Sequence, residues 1–497
     1  MLTYVIAFLI SLGLSTALIP VIKALARRYR LFDRNLSSRK IHTAPIPRLG
    51  GIAIAAGFYA PLLALLFHSN MVSERVYQDP LKIWALLGGG LVVFGLGLYD
   101  DLKGTGAKLK FLVQLLVAVG IFAAGFRIDQ IALPFAGHLP LGPLALPLTV
   151  VWIVGVINAF NLIDGLDGLA GGVAFFAVAT TFLLGTVRDD VLMSLYMSAM
   201  GGGILGFLIF NFNPASIFMG DSGSMFLGFI LAVTSLQTSQ KSGTAVAILI
   251  PVVSLGLPIM DTLLAMVRRF VAGRSMFRAD REHIHHRLLS LGFTQRRAVI
   301  LLYGLCVFLG AVALAMTFAN SAQVAALLVV VAAVVAVLIR KLGYHRTVGT
   351  SPLALGELRE RNLKLRARVR RTGEMLQKAG GREEVWGCLQ ALAPELGVQA
   401  LKLQLDDRLI DGSLQTTAYR WECGAPTVSL PHTLRLPLGT EARGWLLVSL
   451  PANPDGANQI DRDQEIAIEI LCEHLTAAIE RIERAQGTAR SIPPSRR

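Results

Sequence analysis

The sequence predicts an all-α polytopic membrane domain of about eleven transmembrane helices, followed by a small cytoplasmic α+β domain. Three observations predict it. Only 16% of the 497 residues are charged while 54% are hydrophobic, whereas an ordinary soluble domain carries about 25% charged residues. The hydrophobicity is uneven: residues 1 to about 341 are a series of long apolar runs, and 343–497 read as a soluble sequence. The formal net charge of +14 cannot sit in a bilayer core. It must lie in loops and tail, where it suits anionic headgroups or phosphorylated substrates as well as the ordinary positive-inside bias.

A span needs about 20 mostly apolar residues. Such runs fall at roughly 2–22, 50–68, 81–99, 109–126, 143–160, 169–186, 192–210, 223–237, 244–267, 298–317 and 322–340. Pro134, Pro140, Pro143 and Pro147 interrupt the region around the fifth. The first run starts at Met1, and its basic residues (Lys23, Arg27, Arg28, Arg30) come after it. A cleavable signal has the reverse order, so this run reads as a first span with its N-terminus outside.

Lys and Arg set orientation. The loop after the first run holds Arg27, Arg28, Arg30, Arg34, Arg39, Lys40 and Arg48, and the loop after the third holds Lys103, Lys108 and Lys110. The loop after the ninth holds Arg268, Arg269, Arg274, Arg278, Arg281, Arg287, Arg296 and Arg297, whereas the alternate loops hold isolated charges such as Arg75, Arg127, Arg188 and Lys241. The odd loops and the soluble tail are therefore expected in the cytoplasm. All the unusual polar groups then fall on that face. These are Asp100 and Asp101, then Asn161, Asp164 and Asp167, then Asn211, Asn213 and Asp221, and finally His283, His285 and His286. Scattered loop polars would populate both faces.

Each cluster carries chemistry its neighbours do not explain. Asp100-Asp101 are adjacent carboxylates at a membrane boundary, whose repulsion and desolvation a cation offsets; two acids simply ending a helix in water are the plain alternative. Lys108 and Lys110 follow closely enough to reach a phosphate. Asp164 and Asp167 are three apart and share a face if their segment is helical, with Asn161 one turn earlier. Glycines around them allow close approach of a ligand or a helix. Asp221, in FMGDSGS, stands where an apolar run resumes; a helix start offers free N–H groups and a dipole to phosphate, or it is a simple N-cap. Oxygen ligands of this kind suit Mg²⁺, or Mn²⁺, rather than zinc. The three histidines keep company with Arg281 and Arg287, a donor set for phosphate or sugar. The four cysteines (Cys306, Cys388, Cys423, Cys472) have no CxxC spacing, so neither a disulfide framework nor a zinc site is expected.

Five segments carry a resemblance: PRLGG at Arg48–Gly51, YDD at Tyr99–Asp101, NLIDGLDGL at Asn161–Leu169, FMGDSGS at Phe218–Ser224 and EHIHHRLL at Glu282–Leu289. In order, spacing and sidedness, over about residues 1–340, the sequence resembles the polyprenyl-phosphate N-acetylhexosamine-1-phosphate transferases, glycosyltransferase family 4. The HIHHRLL form is similar to the GlcNAc or related hexosamine branch, and the HHH form of the peptide-sugar branch is absent.

The resemblance implies transfer of a sugar-1-phosphate, with GlcNAc-1-phosphate favoured. The donor is a UDP-sugar and the acceptor undecaprenyl phosphate; UMP leaves, and the product feeds a lipid-linked envelope or extracellular polysaccharide. It implies Mg²⁺ held by Asp221, with Asp100 and Asp101 either placing the metal or deprotonating the lipid phosphate. Asn161, Asp164 and Asp167 would support the nucleotide or the metal-bound diphosphate. His283, His285 and His286 with Arg281 would grip the diphosphate or sugar, and Arg48 and Lys108 the lipid phosphate. The partners implied are the two substrates and the inner-membrane bilayer, with no nucleic acid. Two rivals are less consistent with the residues. A CDP-alcohol phosphotransferase needs Ala-Arg after its Asp-Gly, absent from DGLDGLAGG, and a transporter needs ionisable groups at mid-span.

The chain thus divides into a transmembrane transferase domain over 1–342, a charged helical linker over 343–381, an α+β domain over 382–486 and a disordered tail over 487–497. Within the third part, helices are expected near 383–396 and 462–484 and strands near 398–405, 433–438 and 444–450. That order faintly resembles a GAF-like fold, which would sense a small molecule or bring two chains together as a homodimer.

Overall fold

A computed structural model describes residues 1–29, 31, 46–65, 79–133, 137–240, 249–271, 283–343, 352–408, 414–422, 432–438, 444–450 and 462–490. The chain forms two units, Met1–Val267 with Phe277–Arg346, and Arg268–Met276 with Thr347–Arg497.

The first unit is mostly helical: α1 (Leu2–Arg28), α2 (Gly50–Leu65), α3 (Pro80–Lys103), α4 (Ala107–Ala123), a hairpin of β1 (Gln130–Leu133) and β2 (Gly137–Pro140), α5 (Ala145–Ile163), α6 (Leu169–Val187), α7 (Val191–Asn211), α8 (Gly220–Gln240), α9 (Leu249–Ser254), α10 (Gly256–Val271), α11 (Ile284–Ser290), α12 (Gln295–Met316) and α13 (Ser321–Lys341). Seven described segments are long and apolar enough to cross a membrane: α1, α3, Gly142–Ile163, α6, α7, α12 and α13. Helix α2 is apolar but shorter, at 16 residues.

Small residues let the helices close on one another, as expected where lipid removes the hydrophobic drive between them. Ser11 and Ser15 of α1 donate to the Ala199 and Gly203 carbonyls of α7 at 2.6 and 2.8 Å. A Cβ at Gly202 would overlap the Phe8 carbonyl. Helix α8 lies against α2, α3 and α5, and Trp152 of α5 donates its indole N–H to the Ala232 carbonyl at 3.2 Å and to Ser235 Oγ at 3.0 Å. The site-bearing start of α8 is thereby held on three sides.

Two features depart from the run of single helical spans expected for this unit. Residues 130–140 form an antiparallel hairpin, Gln130 opposite Pro140 and Leu133 opposite Gly137; four-residue strands are too short to show a period of two among apolar neighbours. The run at 244–267 contains two helices, α9 and α10, parted at Leu255 beside Pro251, Gly256 and Pro258.

The second unit contains α14 (Pro352–Lys378), α15 (Arg382–Leu392), β3 (Ala400–Arg408), β4 (Leu414–Glu422), β5 (His432–Pro437), β6 (Gly444–Leu450) and α16 (Arg462–Arg490). The sheet is antiparallel in the order β4-β3-β6-β5. Leu401, Leu403, Leu446 and Val448 on one sheet face share a core with Leu376, Leu389, Ile468 and Leu471 of the helices, as the alternation along a half-buried strand requires. Strand β4 (LQTTAYRWE) was not anticipated, since it carries few aliphatic residues.

Candidate active site

The site starts where α3 ends against the beginning of α8. Gly97 permits the contact: a Cβ there would lie 2.5 Å from the Asp221 carbonyl oxygen. One turn on, Asp101 turns both carboxylate oxygens to the first turn of α8. Oδ1 accepts from Asp221 N at 2.8 Å and Oδ2 from Ser222 N at 3.0 Å. Gly220 adopts φ +74° just before them, with the Arg48 carbonyl and Asp101 filling the place of a side chain. The free helix N-terminus expected for phosphate is therefore capped, by an aspartate from another helix. Asp101 thus positions α8, each of its oxygens accepting one N–H of that helix's first turn.

Asp100 and Asp221 face a common cation. Lys110 Nζ lies 2.7 Å from Asp100 Oδ2 and 2.6 Å from Asp221 Oδ2, all three side chains partly exposed. Of Lys108 and Lys110, it is Lys110 that enters the site. Lys108, two positions earlier on α4, is exposed; two helical positions differ by about 200°, so one helix face cannot present both.

The NLIDGLDGL segment does not continue as a helix. Helix α5 ends at Ile163 with Asp164 as its C-cap, and Gly168 (φ +76°) precedes α6. The shared face expected for Asp164 and Asp167 is accordingly lost. Asp167 is buried and accepts from Asn213 Nδ2 and Ala215 N, both at 3.0 Å, which ties the turn before α8 to the turn before α6. Asn211 supports the same junction, accepting from Gly168 N at 3.0 Å and donating to the Ile217 carbonyl at 2.8 Å. Asn161 donates to Ser224 Oγ on α8 at 3.0 Å. Asp164 remains with the acids. Enclosure by the protein pushes its carboxyl up to about 7, the Asp221 and Asp101 charges add to this, and Arg48 opposes it.

The histidines arrive from α11. His283 Nδ1 lies 2.9 Å from Asp261 Oδ2, and Ile284 N donates to Asp261 Oδ1 at 2.8 Å. The His283 and His285 rings are parallel, with centroids 5.7 Å apart, and His286 lies 4.3 Å from His285. His285 is buried, and its Nε2 presses on Gly165 so closely that no Cβ fits there. Burial, then the neighbouring His286, holds its pKa down at about 3, so the ring is neutral near pH 7. His285 thereby stands beside Asp164. Arg48 is exposed at the start of α2, its carbonyl against Gly220. Arg281 lies outside the described residues. Asp261 is the residue that sequence reasoning missed; its signal was a lone acid inside the apolar stretch PIMDTLLAM, a placement that needs a partner.

The donor set fits a hard divalent cation. Asp100 and Asp221 already share one positive charge, and the cluster offers oxygen without sulfur. Among the described residues no three His, Cys, Asp or Glu side chains converge tightly enough to hold a metal alone. One or two carboxylates completed by substrate phosphates is the usual arrangement for Mg²⁺.

Comparison with known proteins places the chain in a family. Residues 83–239 match the model described as glycosyl transferase family 4. The chain is 38% identical over 304 residues, 61% of its length and 82% of the relative's, to the probable undecaprenyl-phosphate N-acetylglucosaminyl 1-phosphate transferase of Bacillus subtilis (strain 168). It is 35% identical over 290 residues, 53% of its length and 72% of the relative's, to the decaprenyl-phosphate N-acetylglucosaminephosphotransferase of Mycobacterium leprae (strain TN). It is 30% identical over 295 residues, 58% of its length and 77% of the relative's, to the undecaprenyl-phosphate alpha-N-acetylglucosaminyl 1-phosphate transferase of Yersinia pestis. The chain belongs to glycosyl transferase family 4, within the polyprenyl-phosphate N-acetylhexosamine-1-phosphate transferases.

Proposed function

We propose that the chain transfers N-acetylglucosamine 1-phosphate from UDP-N-acetylglucosamine to undecaprenyl phosphate, releasing UMP. The observation that carries this reading is the Asp100–Lys110–Asp221 group beside Asp164 and the histidine segment, in a chain whose relatives carry N-acetylglucosamine-phosphate transferase names. An oxygen of the acceptor phosphate attacks the sugar-bearing phosphorus, and the bond to the nucleotide's phosphate breaks. Both partners are anions and more charge gathers on the departing oxygen, so fixed positive charge matters more than a strong base. Mg²⁺, held by Asp221 with Asp100 and Asp164, would supply that charge when bound. Lys110 stands between two of these acids and is within reach of a phosphate displacing either. Asp101 keeps α8 in place, and the His283–His285 pair offers imidazole nitrogens to the donor's sugar or diphosphate.

The same reading assigns about eleven membrane passages, the N-terminus outside and the site at the cytoplasmic surface of the inner membrane. Cysteines substituted at exposed Lys108 and at exposed Leu139 on β2 should react with impermeant reagents from opposite sides. The central test is Mg²⁺-dependent UMP release from UDP-N-acetylglucosamine by the purified chain, required to depend on added undecaprenyl phosphate. Release independent of the lipid, or from other UDP-sugars only, overturns the assignment. A homodimer through the tail belongs to the same proposal and is read from sedimentation of the purified chain.

A further inference from the structure

Asp261 is 1% exposed on α10 among apolar residues, a costly place for an ionisable group unless every oxygen is satisfied. Both are, and both partners lie at the start of α11: His283 Nδ1 and Ile284 N. An ionised carboxylate only accepts, so Nδ1 of His283 carries the hydrogen, and in the neutral ring Nε2 is left as an acceptor for a substrate hydroxyl or N–H. Helix α11 has seven residues, too few to hold its own register in isolation. The parallel stack of His283 on His285 then carries that placement to the Asp164–Gly165 turn, where His285 is 1% exposed and neither of its ring nitrogens has a hydrogen-bond partner among the described residues.

We propose that Asp261 is the positioning residue of the histidine segment: by fixing His283 Nδ1 and the first amide of α11, it sets the two stacked imidazoles beside the Asp164–Gly165 turn, against the bound sugar-nucleotide donor. This rests on the transferase reading. Asp261 touches no substrate and acts through His283.

Three substitutions in the full chain test it. Asp261→Asn keeps an oxygen for Ile284 N–H but replaces the charged acceptor facing His283 with a neutral amide. Asp261→Leu removes both bonds, and His283→Gln removes the imidazole. Asp261→Asn is expected to raise KM for UDP-N-acetylglucosamine about tenfold, the scale of one charge-assisted hydrogen bond, with little change in kcat or Tm. In the His283→Gln background it is expected to add nothing, since residues acting through one another are not additive. Additive effects, or a loss confined to kcat, overturn the proposal. Independently of activity, Asp261→Leu should accelerate amide hydrogen exchange over Ile284–Ser290, and unchanged exchange there overturns it too. A wild-type chain that releases no UMP sinks the transferase reading, while the exchange result still decides whether Asp261 anchors α11.

Discussion

Asp101 of α3 and Asp221 of α8 are joined through the main chain: the Asp221 N–H donates to Asp101 Oδ1 at 2.8 Å. The second oxygen of Asp101 takes the Ser222 N–H, so one carboxylate fixes the first turn of the helix that presents the other. Asp101→Ala leaves two amides without their acceptor and should cost about 1–3 kcal/mol. Asp101→Asn retains one good acceptor and should cost less. Thermal unfolding of the two variants checks the order; equal Tm values with lost activity in both would instead make Asp101 a direct participant.

Asp221 has a different fate. Its side chain faces Lys110 on the open side, and Asn fills the same space without the charge. Asp221→Asn should lower turnover by about two to three orders of magnitude, the scale seen when preorganised charge stabilisation is removed, while membrane assembly is unchanged. UMP release and the amount of protein in the membrane fraction measure both parts. Near-normal turnover refutes the metal assignment.

Lys110→Met removes the cation that Asp100 and Asp221 share among the described residues and leaves like charges facing each other. In chelator, Tm should fall below that of the wild type. Added Mg²⁺ should then raise Tm by more than it raises the wild type, because the ion no longer competes with an ammonium. Equal Mg²⁺ shifts in the two proteins count against a metal at this pair.

Asp164 sets a pH dependence. Its folded-state pKa is pushed up to about 7 from an ordinary 3.8, so the folded protein holds this proton more tightly than the unfolded chain does. The resulting stability is complete below about pH 4 and is lost as pH rises through about 7. In chelator, Tm should decline across that upper range, and Asp164→Asn should flatten the decline. A divalent cation favours the ionised form and should flatten it as well. A Tm that rises through pH 7 in the wild type but not in Asp164→Asn contradicts the assignment.

The helices were largely legible because a bilayer demands about 20 apolar residues in a row, a signal that survives without knowledge of partners. The gathering of Asp100, Asp164, Asp221 and the histidines was legible from charge sidedness. Their individual duties were not. Asp100 and Asp101 are neighbours in sequence yet point to a lysine and to a helix N-terminus, respectively, and only the crossing of α3 on α8 decides which. Asp164 and Asp167 have helical spacing, but the chain breaks at Asp164 and resumes after Gly168, so local periodicity misled. Asp261 needed a partner 22 positions away, beyond any window of sequence.

Helix α13 has 21 residues and fully buries only Val324; Leu327, Leu328, Val331, Leu338 and Ile339 pack partly on the core, and its other apolar side chains are left for lipid. At a rise of about 1.5 Å per residue it matches a hydrocarbon layer roughly 30 Å thick. Its tilt is set by its packing on α12 and by Arg340 and Lys341 in its last turn. Just beyond that turn, Arg287 of α11 donates to the Leu342 carbonyl at 2.7 Å. The seating of this helix in the bilayer and the placing of the histidine segment thus share a hydrogen bond, so the lipid or detergent used for reconstitution should be held constant when donor affinities are compared.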